Sequence, residues 1–160
     1  MARKSLKVAE KLYRFTQKTG MPRGITFGVA LDASMALPLT KWLAGFLAMT
    51  PVSVQVTNEK HPMAGQLKDY LGTIGIPAAW NAELRPETPP NVIFANDAVF
   101  LRLLGQKQRT VGVDLALPSK DVTHFMSRAV LGPQGTLWLL EQLCNGLWRL
   151  ETELCPHCGG

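Results

Sequence analysis

The stretch GITFGVALDAS, Gly24–Ser34, decides the predicted fold. Its apolar residues run almost without interruption through Ile25–Leu31 and stop at Asp32, which is typical of a strand buried on both faces. Asp32 or Ser34 can cap a helix that begins near Ala33. A buried strand, a tight turn and a helix N-terminus predict the ligand-facing unit of an open parallel sheet, because free N–H groups point out over the strand's carboxyl end.

Further strands and helices alternate along the rest of the chain. The other predicted strands are Pro51–Thr57, Asn91–Asn96 and Arg109–Leu115, and the predicted helices are Ser5–Thr19, Ala33–Ala48, Met63–Leu71, Asp97–Leu104 and Gly135–Leu150. The stretch Gly75–Pro90 carries four prolines and is predicted to be an irregular crossover. This alternation predicts an α/β fold: a single Rossmann-like doubly wound domain with about four parallel strands and helices on both faces. The turn after the first strand has no GxGxxG pattern, so it does not indicate a dinucleotide.

Bulk properties indicate a globular chain. The 160 residues are 46% hydrophobic and 18% charged, and no apolar run approaches a bilayer span. We expect residues 1–151 to form the Rossmann-like domain, including a basic N-terminal helix and linker over 1–23, and residues 152–160 to form a cysteine-containing tail. Three cysteines and a charged N-terminus without a secretory signal pattern predict a cytoplasmic protein.

The positive charge is concentrated at the N-terminus. Residues 1–23 hold seven Lys or Arg and one acid, so their net charge is +6. Residues 24–160 sum to −1, which gives the whole chain its net charge of +5. A basic helical stripe can bind phosphates or an acidic partner, but no aromatic residue is interleaved with the charges as in single-strand binders. We therefore expect a solvated face rather than a nucleic-acid site, and an organelle presequence remains an alternative.

The order of the motifs resembles one known family. A basic helix leads into a strand that ends in Asp32, and Pro90–Asn96 forms a strand that closes on an asparagine. Val113–Pro118 is an apolar strand ending in proline, and Gly132–Gly135 leads into the long closing helix around Leu139–Asn145. This set is similar to the C-terminal domain of the nitrogenase component 1 family, in particular its β-type chains and its cofactor-assembly scaffold relatives.

The resemblance covers Arg3–Glu151 and implies a nitrogenase-like oxidoreductase setting. Chains of that family carry three such domains, and the cysteines for their bridging iron–sulfur cluster lie in the first one. The resemblance therefore implies no complete active site here, and an iron–sulfur or related metal cluster would be shared with a larger nitrogenase-like subunit or a homo-oligomer. Pro133 stands where the family usually has an aromatic residue, and Asp97 where it has a hydroxyl residue. Whether the chain itself is an enzyme stays open.

Four residues are candidates for cofactor contact at the predicted carboxyl edge of the sheet. Ser34 and Asn96 follow the first and third strands, and His124 and Arg128 follow the fourth. In α-type chains of the family a histidine in this loop ligates the metal cofactor. His124 is displaced from it by about one residue and matches better the non-ligating histidine of β-type chains. A hydrogen-bonded loop histidine near Asp121 is the alternative for His124.

A second motif, Cys155-Pro-His-Cys158-Gly-Gly, is half of a zinc ribbon. Two thiolates can occupy two of the four tetrahedral positions of Zn²⁺, and the glycines allow the turn. A second copy of the chain or a partner would have to complete the site, because His157 lies between the two cysteines and Cys144 lies on the apolar side of a predicted helix. A redox-active dithiol and an inert tail are the alternatives.

Several classes of enzyme are not indicated by any motif. The sequence has no nucleophile elbow, P-loop or HExxH pattern. The first hypothesis is a subunit or accessory of a nitrogenase-like oxidoreductase or of metal-cofactor assembly. The alternatives are a stand-alone module that binds a small anion near Ser34, Asn96 and Arg128, and an interaction adaptor without redox activity.

Overall fold

The structure, a computed structural model, describes residues 24–85, 87–96, 99, 109–115 and 132–154, with the backbone alone for 151–154. The predicted helix Ser5–Thr19 lies outside the described residues, as does all of Asp97–Leu104 except Val99. Those two helices therefore stay predictions. The remaining predicted elements fall within the described part.

The sheet has four parallel strands in the order β2-β1-β3-β4. The strands are β1 Thr26–Leu31, β2 Thr50–Val56, β3 Val92–Ala95 and β4 Val111–Asp114. Phe27 pairs with Val92 across β1 and β3, and Val92 pairs in turn with Val111 of β4. The parallel arrangement of the first and third strands confirms the predicted fold class.

Successive side chains of a strand point to opposite faces of the sheet, so the residues of β1 divide between two different environments. Phe27, Val29 and Leu31 of β1 point into the main core, where all three are buried. Gly28 faces the other way, where a Cβ atom would lie 3.2 Å from Leu84 Cδ2 and 3.4 Å from Pro90 Cγ. That close approach explains a glycine in the middle of the central strand.

Among the described residues, three α-helices pack on the sheet and share the main core. They are α1 Ala33–Lys41, α2 Pro62–Thr73 and α3 Gly132–Leu154. Leu37 of α1, Leu67 of α2 and Leu143 of α3 are buried in the same cluster as Phe27. Helix α3 is longer than the predicted Gly135–Leu150, since Pro133 lies in its first turn, where no intrahelical donor is needed.

The helix predicted over Ala33–Ala48 is wrong in its second half. Helix α1 ends at Lys41 and the chain continues as a π-helical segment, Trp42–Phe46. There the Leu47 amide donates to the Trp42 carbonyl at 3.3 Å, five residues back. The wider turn follows a helix whose interior Pro38 provides no amide hydrogen.

The connection from β2 to β3 passes around the outer edge of β2. Trp80 forms a parallel bridge with Val54, and the Ser53 hydroxyl donates to the Ala82 carbonyl at 2.6 Å. The segment then places Leu84 on the far face of the sheet, against Gly28. The predicted irregular crossover over 75–90 thus contains a short 3₁₀ turn, Pro77–Ala79, and covers the edge of β2.

A side-chain clamp ties β1 to β3 at the amino edge of the sheet. Asn91 Oδ1 accepts hydrogen bonds from the Thr26 amide at 2.9 Å and from the Thr26 hydroxyl at 2.8 Å. The Thr26 hydroxyl in turn accepts from the Asn91 amide at 3.1 Å. These contacts fix the register of the two strands over a sequence separation of 65 residues.

We expect Asn91→Ala to lower the free energy of unfolding by about 1–3 kcal/mol, because it leaves the partly buried Thr26 donors without their acceptor. Urea unfolding followed by circular dichroism measures the change. Thr26→Ser keeps the hydroxyl and is the matched control, for which we expect a much smaller loss. Equal losses in the two variants would contradict the role assigned to the clamp.

Candidate functional site

The carboxyl edge of the sheet contains a topological switch point between β1 and β3. The chain leaving β1 goes to β2 on one side, and the chain leaving β3 goes to β4 on the other. Asp32 follows β1 directly and Asn96 follows β3 directly. Because β1 and β3 are neighbouring parallel strands, Asp32 and Asn96 lie at the same edge. A crevice of this kind is the usual ligand position in open α/β sheets.

Asp32 is the N-cap of α1. Its Oδ1 accepts from the Ser34 amide at 2.9 Å and from the Ser34 hydroxyl at 2.6 Å. The Asp32 carbonyl accepts from the Ala36 amide at 2.9 Å. The Ser34 hydroxyl and, to a smaller extent, the Ser34 amide hold the pKa of the Asp32 carboxyl below its ordinary value, and His61 adds an attraction. The donors of Ser34 are therefore engaged by a carboxylate, so an external anion would have to displace it.

The cap makes stability dependent on pH in the acidic range. Because the pKa of Asp32 is lowered in the folded state, its contribution is present above the unfolded value, about pH 4, and is lost as the pH falls through the folded value. We expect Asp32→Asn to retain the cap and to flatten this acid loss, whereas Asp32→Ala is less stable at neutral pH as well. Denaturation midpoints measured between pH 7 and pH 2 check this. Superimposable profiles for wild type and Asp32→Asn would contradict it.

His61 lies near the carboxyl edge of the sheet, and no sequence motif indicated a role for it there. It is the N-cap of α2, where its Nδ1 accepts from the Met63 amide at 3.2 Å. The available signal was the Pro62 that follows, since proline is common at the first position of a helix. Histidine is not among the usual N-cap residues, so the pattern did not indicate its role.

Asn96 caps the turn after β3. Its Oδ1 and its backbone carbonyl each accept from the Val99 amide at 3.1 Å. Asp114, the last residue of β4, pairs with Ala95 and has both carboxylate oxygens buried. Polar side chains thus follow or end β1, β3 and β4 at one edge of the sheet. Asp97 and Asp121 lie outside the described residues.

An apolar cleft of about 240 Å³ lies beside this edge. Helix α1 lines one wall, Leu115 just after β4 lines the floor, and the start of α3 lines the other wall. The lining residues are Met35, Pro38, Leu39, Trp42, Leu115, Gly132, Thr136 and Leu139. The edge therefore combines a polar strip with an adjacent apolar depression.

The structure brings together only part of the predicted site. Ser34 and Asn96 lie at the carboxyl edge, whereas His124, Arg128, Cys155 and Cys158 lie outside the described residues. Their roles stay predictions. Within 24–85, 87–96, 99, 109–115 and 132–154, no three His, Cys, Asp or Glu side chains are grouped so that they could hold a metal ion.

No family model and no curated protein matches the sequence. A chain of nitrogenase Cp1, solved at pH 6.5, matches the structure with a TM-score of 0.74 over 99% of the present chain. The chain has a nitrogenase-like fold. Sequence identity is 12%, so the likeness concerns the fold alone, and the chain spans 34% of the length of that nitrogenase chain. The part of the predicted resemblance that concerns the fold is confirmed.

No helix of the described residues has the length and apolar character that crossing a membrane requires.

Proposed function

We propose that the chain acts as a subunit or accessory of a nitrogenase-like oxidoreductase or of metal-cofactor assembly, and that it docks to a larger chain through the carboxyl edge of its sheet. The observation that supports this most strongly is the nitrogenase-like fold over 99% of the chain. The match spans 34% of the nitrogenase chain, and in this proposal a larger chain provides the other units of the assembly.

The surface at the carboxyl edge is suited to such a contact. Asp32 and His61 provide polar groups on the caps of α1 and α2, and the apolar cleft beside α1 provides area to bury. An apolar depression bordered by polar groups is the usual composition of a protein–protein interface. Ser34 is exposed at this edge and is therefore available to a partner.

In this proposal the cluster ligands belong to the larger chain. Asp32 and His61, the described polar residues at the carboxyl edge, cap helices: Asp32 accepts from Ser34, and His61 accepts from Met63. Ser34, Asn96, His124 and Arg128 would border a cofactor held mainly by the partner rather than ligate it alone. Electron transfer would then be a property of the assembly.

The test is anaerobic purification of the tagged chain from its native host, followed by iron analysis and sequencing of co-purifying chains. Ser34→Arg introduces a large cation at the exposed rim, and Thr50→Arg introduces the same side chain at the exposed start of β2, at the opposite edge of the sheet. We expect an iron-containing chain that carries cysteine cluster ligands to co-purify with wild type and with Thr50→Arg. The amount of that chain that co-purifies with Ser34→Arg should be lower by about tenfold or more.

Recovery of a metal-free wild-type monomer would overturn the proposal. If that monomer bound inorganic phosphate, and Ser34→Arg changed the affinity, the anion-binding alternative would replace it. Equal capture by the two arginine variants would show that the carboxyl edge is not the docking surface.

A further inference from the structure

A second pocket, of about 190 Å³, lies between β2 and the segment that connects β2 to β3. Ser53 pairs with Gly28, and Leu84 packs against Gly28 on the far face of the sheet. The pocket therefore opens on the face opposite the main core and is separate from the apolar cleft at the carboxyl edge. Its lining includes Val52, Ser53, Glu83, Leu84, Arg85 and Thr88.

Val52 lines this pocket at an irregularity in the pairing of β1 with β2. Phe27 pairs with Pro51 and Gly28 pairs with Ser53, so no residue of β1 pairs with Val52. An extra residue of this kind redirects a side chain and is frequent beside functional sites. The Val52 side chain is exposed and provides an apolar wall.

Two opposite charges line the same pocket. Glu83 and Arg85 flank the buried Leu84, and both are exposed. In the part of the chain that the structure describes, no hydrogen bond or ion pair engages the Glu83 carboxylate or the Arg85 guanidinium. A ligand with a single charge would be attracted by one of these groups and repelled by the other. A zwitterion can pair with both of them.

Neutral polar groups of the pocket suit the two ends of a zwitterion. The Thr88 amide donates to the Arg85 carbonyl at 3.2 Å, and this turn keeps the two residues close. A guanidinium and a hydroxyl donor together suit a carboxylate. The Ser53 hydroxyl donates to the Ala82 carbonyl at 2.6 Å, and its oxygen can still accept from an ammonium group.

We propose that this pocket binds a small aliphatic α-amino acid, with its carboxylate on Arg85 and Thr88 and its ammonium group on Glu83. The volume is that of about six water molecules at about 30 Å³ each, which is room for an amino acid of the size of valine and not for a nucleotide. The aliphatic side chain would lie against Val52. Binding is expected to be weak, in the millimolar range, because both charged side chains are exposed. This proposal is independent of the proposed docking at the carboxyl edge.

The test is a titration of the ¹⁵N-labelled full 160-residue chain with L-valine alone, followed by backbone amide chemical shifts. We expect saturable shifts at Val52, Ser53, Arg85 and Thr88 and none at Ser34 of the carboxyl edge. Sodium acetate and n-butylammonium chloride carry one organic charge each, so each ion should bind at least about fivefold more weakly than L-valine.

Arg85→Gln and Glu83→Gln should each raise the dissociation constant of L-valine by at least about fivefold, because each removes one of the two pairing charges. Lys68→Gln on α2 and Glu141→Gln on α3 are the matched controls, since they remove the same charges from exposed positions elsewhere. Both controls should leave the dissociation constant within about 1.5-fold of the wild-type value. Circular dichroism should be unchanged in all four variants, which separates loss of binding from loss of folding.

The absence of saturable shifts with L-valine would overturn the proposal. Acetate that binds as tightly as L-valine would mean a site for anions, and Glu83 would then have no role in it. A dissociation constant that stays at the wild-type value in Arg85→Gln or in Glu83→Gln would equally contradict the assignment of a zwitterion to this pocket.

Discussion

Phe94→Ala is expected to lower the free energy of unfolding by about 3–5 kcal/mol, more than any of the other substitutions proposed for this chain. Phe94 lies in β3, is fully buried, and packs edge-to-face on Phe27 of β1 with ring centroids 6.5 Å apart. Truncation removes apolar area and leaves a cavity between the two central strands, where neighbouring side chains cannot close in. Chemical denaturation measures the change.

Phe46→Ala is the matched control, because Phe46 is 71% exposed in the π-helical segment. We expect a change within about 0.5 kcal/mol for it. The double variant Phe27→Ala/Phe94→Ala should lose less than the sum of the single losses, since the two rings contact each other. Additive losses, or a loss at Phe94 as small as at Phe46, would contradict the placement of this pair.

Gly146→Ala is expected to destabilise the protein by about 1–3 kcal/mol, although alanine favours helices by about 1 kcal/mol over glycine. Gly146 of α3 lies against Val111 of β4. A Cβ atom there would clash with Val111 Cγ1 and lie 3.0 Å from Val111 Cγ2. Both groups belong to packed elements, so the helix or the strand must shift.

Gly65→Ala on α2 is expected to change stability in the opposite direction, because a Cβ atom there would meet nothing within 4 Å. We expect this variant to be more stable by about 0.5–1 kcal/mol. Val111→Ala should reduce the loss caused by Gly146→Ala, because it removes the two γ-carbons that the new methyl group contacts. A stabilising effect of Gly146→Ala alone would show that α3 does not lie against β4.

The strands were predictable because their signals are local. Ile25–Leu31 and Pro51–Thr57 are apolar or β-branched runs of strand length, and the ends of the observed strands differ from the predicted ends by at most two residues. Their parallel direction could be predicted from the strand–helix alternation and the right-handed crossover rule. The cap at Asp32 was predictable for the same reason, since it depends on neighbouring residues only.

Features that depend on tertiary contacts were not predictable. Whether Trp42–Phe46 continues as an α-helix or widens into a π-helix has no signature in residue propensities. The edge cover by Trp80 and Ala82 depends on hydrogen bonds to β2 across nearly 30 residues. His61 lies near the carboxyl edge because of where α2 begins, and its capping role is unusual for histidine.

The candidate site was predicted in part. The sequence placed Ser34 and Asn96 at strand ends, and the structure puts both at the carboxyl edge. It did not show that the donors of Ser34 are engaged by Asp32, because that depends on the cap geometry. His124 and Arg128 came from the family resemblance and from their position after the fourth strand, and they stay predictions.

The most direct test of the account is the relative direction of β1 and β3, on which both the switch point and the nitrogenase-like fold depend. Nuclear Overhauser contacts between backbone protons of isotope-labelled protein measure it. We expect contacts that connect Phe27 with Val92 and Val29 with Phe94, the pairing of parallel strands. Contacts that connect Phe27 with Phe94 and Val29 with Val92 would mean antiparallel strands, would place Asp32 and Asn96 at opposite edges, and would contradict the account.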